Sequence, residues 1–294
     1  FSVTVWDLEA VDIARCGAGP FFRPAPPDAA LARRIGRAAA RALYALGLDG
    51  GQVRLDIGAD GRVTVRALSA RPNPSAAEGE RRLAEAVRRQ ARLREEERRR
   101  PPAAILGADP EFVLLSPEGR VVPASRYFPP GAAVGSDSLV VSGVRRWPLA
   151  ELRPAPAAEP AALVGELRRL LAEAARRAGD EPLTWRAGAL PVPGLPLGGH
   201  IHFSGVAPTP GRLRALDNAV ALPLRLLEPP GAARRRPRYG ALGDFRRKAH
   251  GGFEYRTPPS WLVSPALARG VLALAKIAAE TPERIARPLD DERV

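Results

Sequence analysis

The chain has no methionine and one cysteine in 294 residues. Cys16 alone excludes an internal disulfide framework and fits a reducing, cytoplasmic setting. Without methionine there is no initiator residue, and the sequence leaves open whether the chain is a piece of a longer one. No apolar run reaches the roughly 20 residues that cross a bilayer, so no membrane partner is expected. Nothing resembles a secretory leader: Phe1 to Trp6 is followed at once by Asp7 and Glu9. Aromatics make up 5% of the chain, which leaves the core to Leu, Val and Ala. Lysine is almost missing, since Lys248 and Lys276 are the only two among 45 basic residues.

The net charge of +13 invites a nucleic-acid reading. Its composition argues against one. Arginine almost without lysine, 32 prolines and abundant alanine have the look of GC-rich coding. The arginines also fall on polar helix faces with glutamates between them, as in Arg88-Arg89 and Arg98-Arg99-Arg100. A solvated helix face accounts for them, and no nucleic-acid partner is expected.

Three stretches order the chain. Residues 1–75 read as a strand and loop, a break at Pro24-Ala25-Pro26-Pro27, and a helix capped by Asp28. Two strands follow, joined at the turn Asp60-Gly61. Residues 76–102 read as a charged helical linker closed by Pro101-Pro102. Residues 103–285 form the main domain, in which strand-like segments come before apolar-striped helices, and 286–294 are a tail. The first stretch resembles the C-terminal end of an ATP-grasp domain. Asp56 and Pro72 fit that pattern, but its metal-binding Glu and Asn fall on Ala67 and Ser69. That resemblance implies a truncated, inactive remnant.

Histidine is the informative scarcity. Of 3 histidines, His200 and His202 sit one residue apart in Gly198-Gly199-His200-Ile201-His202-Phe203-Ser204-Gly205. Strand spacing puts both imidazoles on one face and sends Ile201 and Phe203 into a core. Two solvent-facing histidines are the bland alternative; a metal or phosphate site is the reading favoured by their rarity elsewhere. Three more pairs share this spacing: Asp109/Glu111, Glu151/Arg153 and Glu254/Arg256. Taken alone, Asp109/Glu111 reads equally well as a turn acid and a surface glutamate. Four such pairs suggest strands of one sheet turning a polar face to a shared cavity, with helices behind, an α+β arrangement. Carboxylates and imidazole suit Mg²⁺ or Mn²⁺ beside phosphate oxygens, and arginines with Lys248 suit phosphate charge. That set matches phosphoryl transfer to a carboxylate, followed by attack of an amine.

The segments Gly107 to Phe112, Glu151 to Pro154, Gly198 to Gly205, Arg236 to Arg246 and Gly252 to Pro258 are similar to the phage-type carboxylate–amine ligase type 2 family, one of the glutamine-synthetase-like amidoligases. The resemblance covers about residues 103–280. It implies an antiparallel sheet funnel backed by helices, beside the small N-terminal α+β segment. It also implies ATP with Mg²⁺ or Mn²⁺, and small-molecule or peptide carboxylate and amine substrates. By this resemblance Asp109, Glu111, Glu254 and His200 are metal ligands. His200, Arg236, Lys248 and Arg246 are nucleotide contacts, and Arg256, Arg246 and Glu151 form the catalytic group. His202 ranks below His200. Two alternatives stay open: an inactive nucleotide- or peptide-binding module, and a metal-dependent amidohydrolase, which would need more His and Asp ligands on an eightfold βα repeat. Neither the substrates nor the oligomeric state is legible in loops 125–147 and 187–197.

Overall fold

Two stretches of chain fold around separate cores, Phe1–Pro101 and Pro102–Val294. The structure, a computed structural model, describes residues 1–17, 27–141, 143–236, 239–249 and 251–285. The expected break at Pro24-Ala25-Pro26, the tail 286–294, Pro237, Arg238 and the third histidine, His250, lie outside the described residues.

The first unit holds β1 (Ser2–Trp6), β2 (Glu9–Ala14), α1 (Ala29–Ala45), β3 (Gly50–Ile57), β4 (Val63–Ser69) and α2 (Ala77–Arg99). Its four strands form an antiparallel sheet in the order β2-β1-β3-β4. The Asp28 carboxylate caps α1 by accepting the amides of Ala30 and Leu31. The apolar stripe Ile35, Ala39 and Leu43 of α1 then packs on Val3, Val5, Val53 and Leu55. Two features depart from the sequence reading. Where a strand and loop are expected, β1 and β2 form a hairpin whose turn puts Asp7 and Leu8 at φ of 50° and 69°. Glycine is the usual residue for such angles, so nothing in the sequence marks the turn. The expected linker helix α2 lies on that hairpin. Arg89 pairs with Glu9, and the Gln90 amide donates to Asp7.

The second unit holds β5 (Ile105–Leu115), β6 (Val121–Val122), β7 (Val134–Val141), β8 (Val144–Leu152), α3 (Pro160–Ala178), β9 (Thr184–Arg186) and β10 (Gly199–Ser204). After these come α4 (Pro210–Leu216), α5 (Leu222–Leu227), β11 (Phe245–Arg247), β12 (Phe253–Tyr255) and α6 (Pro265–Glu280). The sheet is curled and antiparallel, in the order β11-β12-β10-β5-β8-β7, with β6 and β9 pairing to β5. This is the expected α+β architecture. No described helix is long and apolar enough to cross a membrane.

β5 runs unbroken through Pro110, although proline lacks the N–H that a strand ladder uses. The reason lies in its pairing. Glu111 N–H donates toward the β10 side, to Gly198 O. An N–H at residue 110 would point to the other edge, and pairing with β8 starts there only at Glu111. No ladder bond is lost, so proline is tolerated in a central strand. The stripe Leu213, Leu216, Val220, Leu224 and Leu227 reads as a helix broken or bent at Pro223; the irregularity is a π-helical turn at Asp217–Ala221, just before the proline.

Behind the sheet α3 packs against β5, β7 and β8, and α6 packs against α3 and α4. Ile201, Phe203, Phe253 and Leu106 are fully buried. Phe203 and Phe253 stack with ring centroids 4.9 Å apart. Phe203→Ala should therefore lower unfolding free energy in urea by about 3–5 kcal/mol. A loss under about 1 kcal/mol would show that this stack does not hold β10 to β12.

Candidate active site

β10 lies at the middle of the site, paired with β5 on one edge and β12 on the other. The register sets four acid-bearing pairs directly opposite one another. His200 faces Asp109, His202 faces Glu254, Glu111 faces Glu151, and Arg246 faces Glu254. Opposed residues on adjacent strands have Cβ atoms about 4.5–5.5 Å apart. All four polar pairs of the sequence, with Arg246 and Lys248, consequently line one cleft of about 590 Å³.

The flanking glycines read as room for close approach of another backbone or a ligand, and the structure fills that room with the protein's own atoms. A Cβ on Gly198 would lie 2.5 Å from His200 Nε2. The bare Cα leaves that space to the imidazole. A Cβ on Gly199 would meet the Pro259 carbonyl and the Trp261 ring, and Gly205 sits at φ +79° against Ala103 O. These glycines admit the protein's own neighbours.

Asp109 is the hub of the imidazoles. His202 Nε2 is 3.0 Å from its Oδ2, and His200 Nδ1 is 3.2 Å from its Oδ1. Burial raises the Asp109 pKa, but the contacts with His200 and His202 outweigh it and hold the carboxyl well below the usual range. His200 shows the reverse balance: burial lowers its pKa, yet Asp109, Glu111 and Glu254 raise it above the ordinary value. Glu254 is 1% exposed. Burial disfavours its charge, but Lys248, His200 and Arg246 keep it ionised. Arg246 Nε donates to its Oε2 at 3.0 Å, and Arg256 Nε lies 3.1 Å from its Oε1.

Glu111 and Glu151 behave differently. Burial pushes Glu111 up to about 7, although Gly198 N–H donates to its Oε2 at 2.7 Å. Burial, reinforced by the Asp109 charge, pushes Glu151 up to about 9 in spite of its ion pair with Arg153.

Asp109, His202 and Glu254 offer ligand atoms that all lie within 4.8 Å of one another. Asp109 Oδ1 and Glu254 Oε1 are buried without a hydrogen bond. Two carboxylates, each with an oxygen that faces a charged neighbour without a hydrogen bond, and one imidazole fit a hard divalent cation such as Mg²⁺ or Mn²⁺. The trio includes His202, which the sequence ranks below His200. Glu111 turns its carboxylate to Gly198 instead. Arg236 is drawn away altogether: both its terminal nitrogens donate at 2.8 Å to Glu228, and it lines neither this cleft nor the cavity beside it. Its neighbour Arg235 reaches that second cavity, which a run of three arginines does not reveal. Asp137 also lines the cleft. The sequence shows it only as part of a short element, because the β7–β8 hairpin has one glycine, Gly143, as its turn signal.

The family model described as phage phiEco32-like COOH·NH2 ligase type 2 matches residues 106–292, well over half of the chain. The chain belongs to this family. Membership places it among carboxylate–amine ligases. Solved structures match more loosely. A crystal structure of a novel glutamine synthase homolog shares 19% identity over 81% of this chain, with a TM-score of 0.35. This chain spans 64% of that one. An apo GmaS without ligand shares 16% identity over 99% of this chain and 80% of its own, with a TM-score of 0.37. Likenesses this loose carry no argument about activity. No curated protein matches.

The raised carboxyl in this ligase-family site has a consequence for stability. Glu111 is about 7 when folded and near 4.5 when unfolded. Its contribution is full below pH 4.5 and is lost as pH rises through 7, about 3 kcal/mol in all. Glu111→Gln keeps an acceptor for Gly198 N–H and removes the titration. Metal-free variant should lose markedly less stability than wild type between pH 4.5 and 7.5 in urea unfolding. Parallel profiles would show that Glu111 titrates at its unfolded value.

Proposed function

We propose that the protein joins a carboxylate to an amine with ATP, through an acyl phosphate. The carrying observation is the cleft itself, where four cross-strand polar pairs bring carboxylates, imidazoles and cations to one wall. In the reaction the terminal phosphoryl group of ATP passes to a carboxylate oxygen as its bond to ADP breaks. The neutral amine then attacks the acyl carbon, phosphate leaves with the bonding pair, and the nitrogen gives up a proton.

Asp109, His202 and Glu254 would hold the divalent cation, with His200 supporting Asp109. When bound, that cation would neutralise phosphate charge. Arg246, Lys248 and Arg256 now compensate Glu254. They are the cations in place to turn to phosphate oxygens, where fixed positive charge stabilises the transferring group. Glu111, poised near neutral, is the carboxyl suited to take the proton from the amine. Glu151, pushed toward its neutral form, and Arg153 keep the adjoining wall polar.

An amidohydrolase is disfavoured, because every named strand pair is antiparallel and leaves no βα barrel. In the first unit, Ala67 and Ser69 stand where ATP-grasp ligands would be, and Asp56 is paired with Arg66 on the surface. We read that unit as a remnant without nucleotide chemistry. A cytoplasmic setting supplies the ATP.

Glu254→Gln removes a cation ligand at nearly constant volume. It should cut Mg²⁺-dependent ATP turnover with a carboxylate and an amine by about 100-fold or more, with circular dichroism unchanged. Wild-type turnover in a folded variant would remove Glu254 from the site and with it this reading.

A further inference from the structure

A second cavity, of about 180 Å³, adjoins the cleft and shares Glu111, Asp137, His200 and Arg256 with it. Its far wall is absent from the cleft and includes Arg235, Tyr239 and Asp244. Its floor is apolar. Leu139, Leu149 and Leu197 line it, and they belong to a cluster with Val113 on the cleft side of β5.

Two groups in this cavity have unfinished electrostatics. Arg235 is 3% exposed. Two of its nitrogens donate to the carbonyls of Thr257 and Pro258, at 3.2 and 3.0 Å. Its Nε has no hydrogen-bond partner, and the carboxylates of Glu228, Glu111 and Asp244 act on it electrostatically without closing an ion pair. A buried guanidinium without an ion-pair partner is costly and invites one. At the shared wall, the Asp137 side chain has no hydrogen bond or ion pair among the described residues, although it lines both spaces. An open carboxylate at the mouth and an open guanidinium behind it are complementary to one molecule that carries both charges.

We infer that this cavity binds the amine substrate as a single free α-amino acid, its carboxylate on Arg235 and its ammonium group at Asp137. The orientation follows from the lining. Arg235 belongs only to the small cavity, whereas Asp137 faces the cleft as well. The amino end therefore points to where the activated carboxylate would form, and once the ammonium gives its extra proton to water the bound amino acid is the nucleophile. Leu139, Leu149 and Leu197 give its side chain an apolar seat. A space of 180 Å³ is smaller than the ~300–1,000 Å³ of drug-sized ligand pockets. It suits one residue and excludes a folded-back peptide. Ammonia lacks the carboxylate that would complete Arg235.

The amine role rests on the ligase reading, but the binding does not, so the two can be separated. The standard L-amino acids are tested singly by ligand-observed NMR on the full chain without nucleotide. Mg²⁺-ATP binding is measured separately by calorimetry. At least one amino acid should bind. Its carboxamide and its N-acetyl form should each bind at least 10-fold more weakly. Leu139→Trp fills the apolar seat, and Asp137→Asn removes the charge at the mouth. Each should weaken the amino acid at least 10-fold while Mg²⁺-ATP still binds. If no free amino acid binds, or the carboxamide binds as well as the acid, the inference is overturned even if Mg²⁺-ATP binds normally. Amino-acid binding with no Mg²⁺-ATP binding would support the cavity and overturn the ATP-dependent ligase reading.

Discussion

The site depends on the register between β5, β10 and β12. Pairing His200 with Asp109 and His202 with Glu254 puts imidazoles beside carboxylates on adjacent strands at the same height. A slip of one residue along β10 would turn both imidazoles into the core and bring Ile201 and Phe203 to the cleft. The stacked Phe203 and Phe253 rings on the other face oppose such a slip, because both are fully buried there. Core packing on one side of the sheet thus fixes the geometry of charged groups on the other.

Within that frame, burial sorts the carboxyls into two kinds. Asp109 and Glu254 are held ionised by imidazoles and cations. Glu111 and Glu151 are pushed toward the neutral form, mainly by loss of water. In the proposed reaction Asp109 and Glu254 would hold the cation and Glu111 would exchange a proton. All sit within a few residues of one another on the sheet, so chemical type alone does not separate them. The difference lies in who stands opposite each one.

Much of the main domain was legible. The i, i+2 pairs marked the strands of the cleft, and the apolar stripes marked α1, α3 and α6. Asp7-Leu8 was hidden because non-glycine residues take the turn. Pro110 marks a break by residue type alone, but it costs β5 no ladder bond, which only the pairing partners reveal. Arg235 and Arg236 are adjacent and identical in type. One is paired with Glu228 and the other faces a cavity, a distinction no local pattern carries.

By itself the sequence determined which side chains share a strand face, since alternation is a property of the local backbone. It determined the chemical inventory as well: two imidazoles, several carboxyls and an excess of arginine. Tertiary structure alone decided that Asp109, His202 and Glu254 come within reach of one ion, and that Asp137 and Arg235 meet a common cavity. Those neighbours are brought together by strand pairing and loop return across tens of residues. Sheet closure and burial set both their distances and their charges, and neither is encoded at any single position.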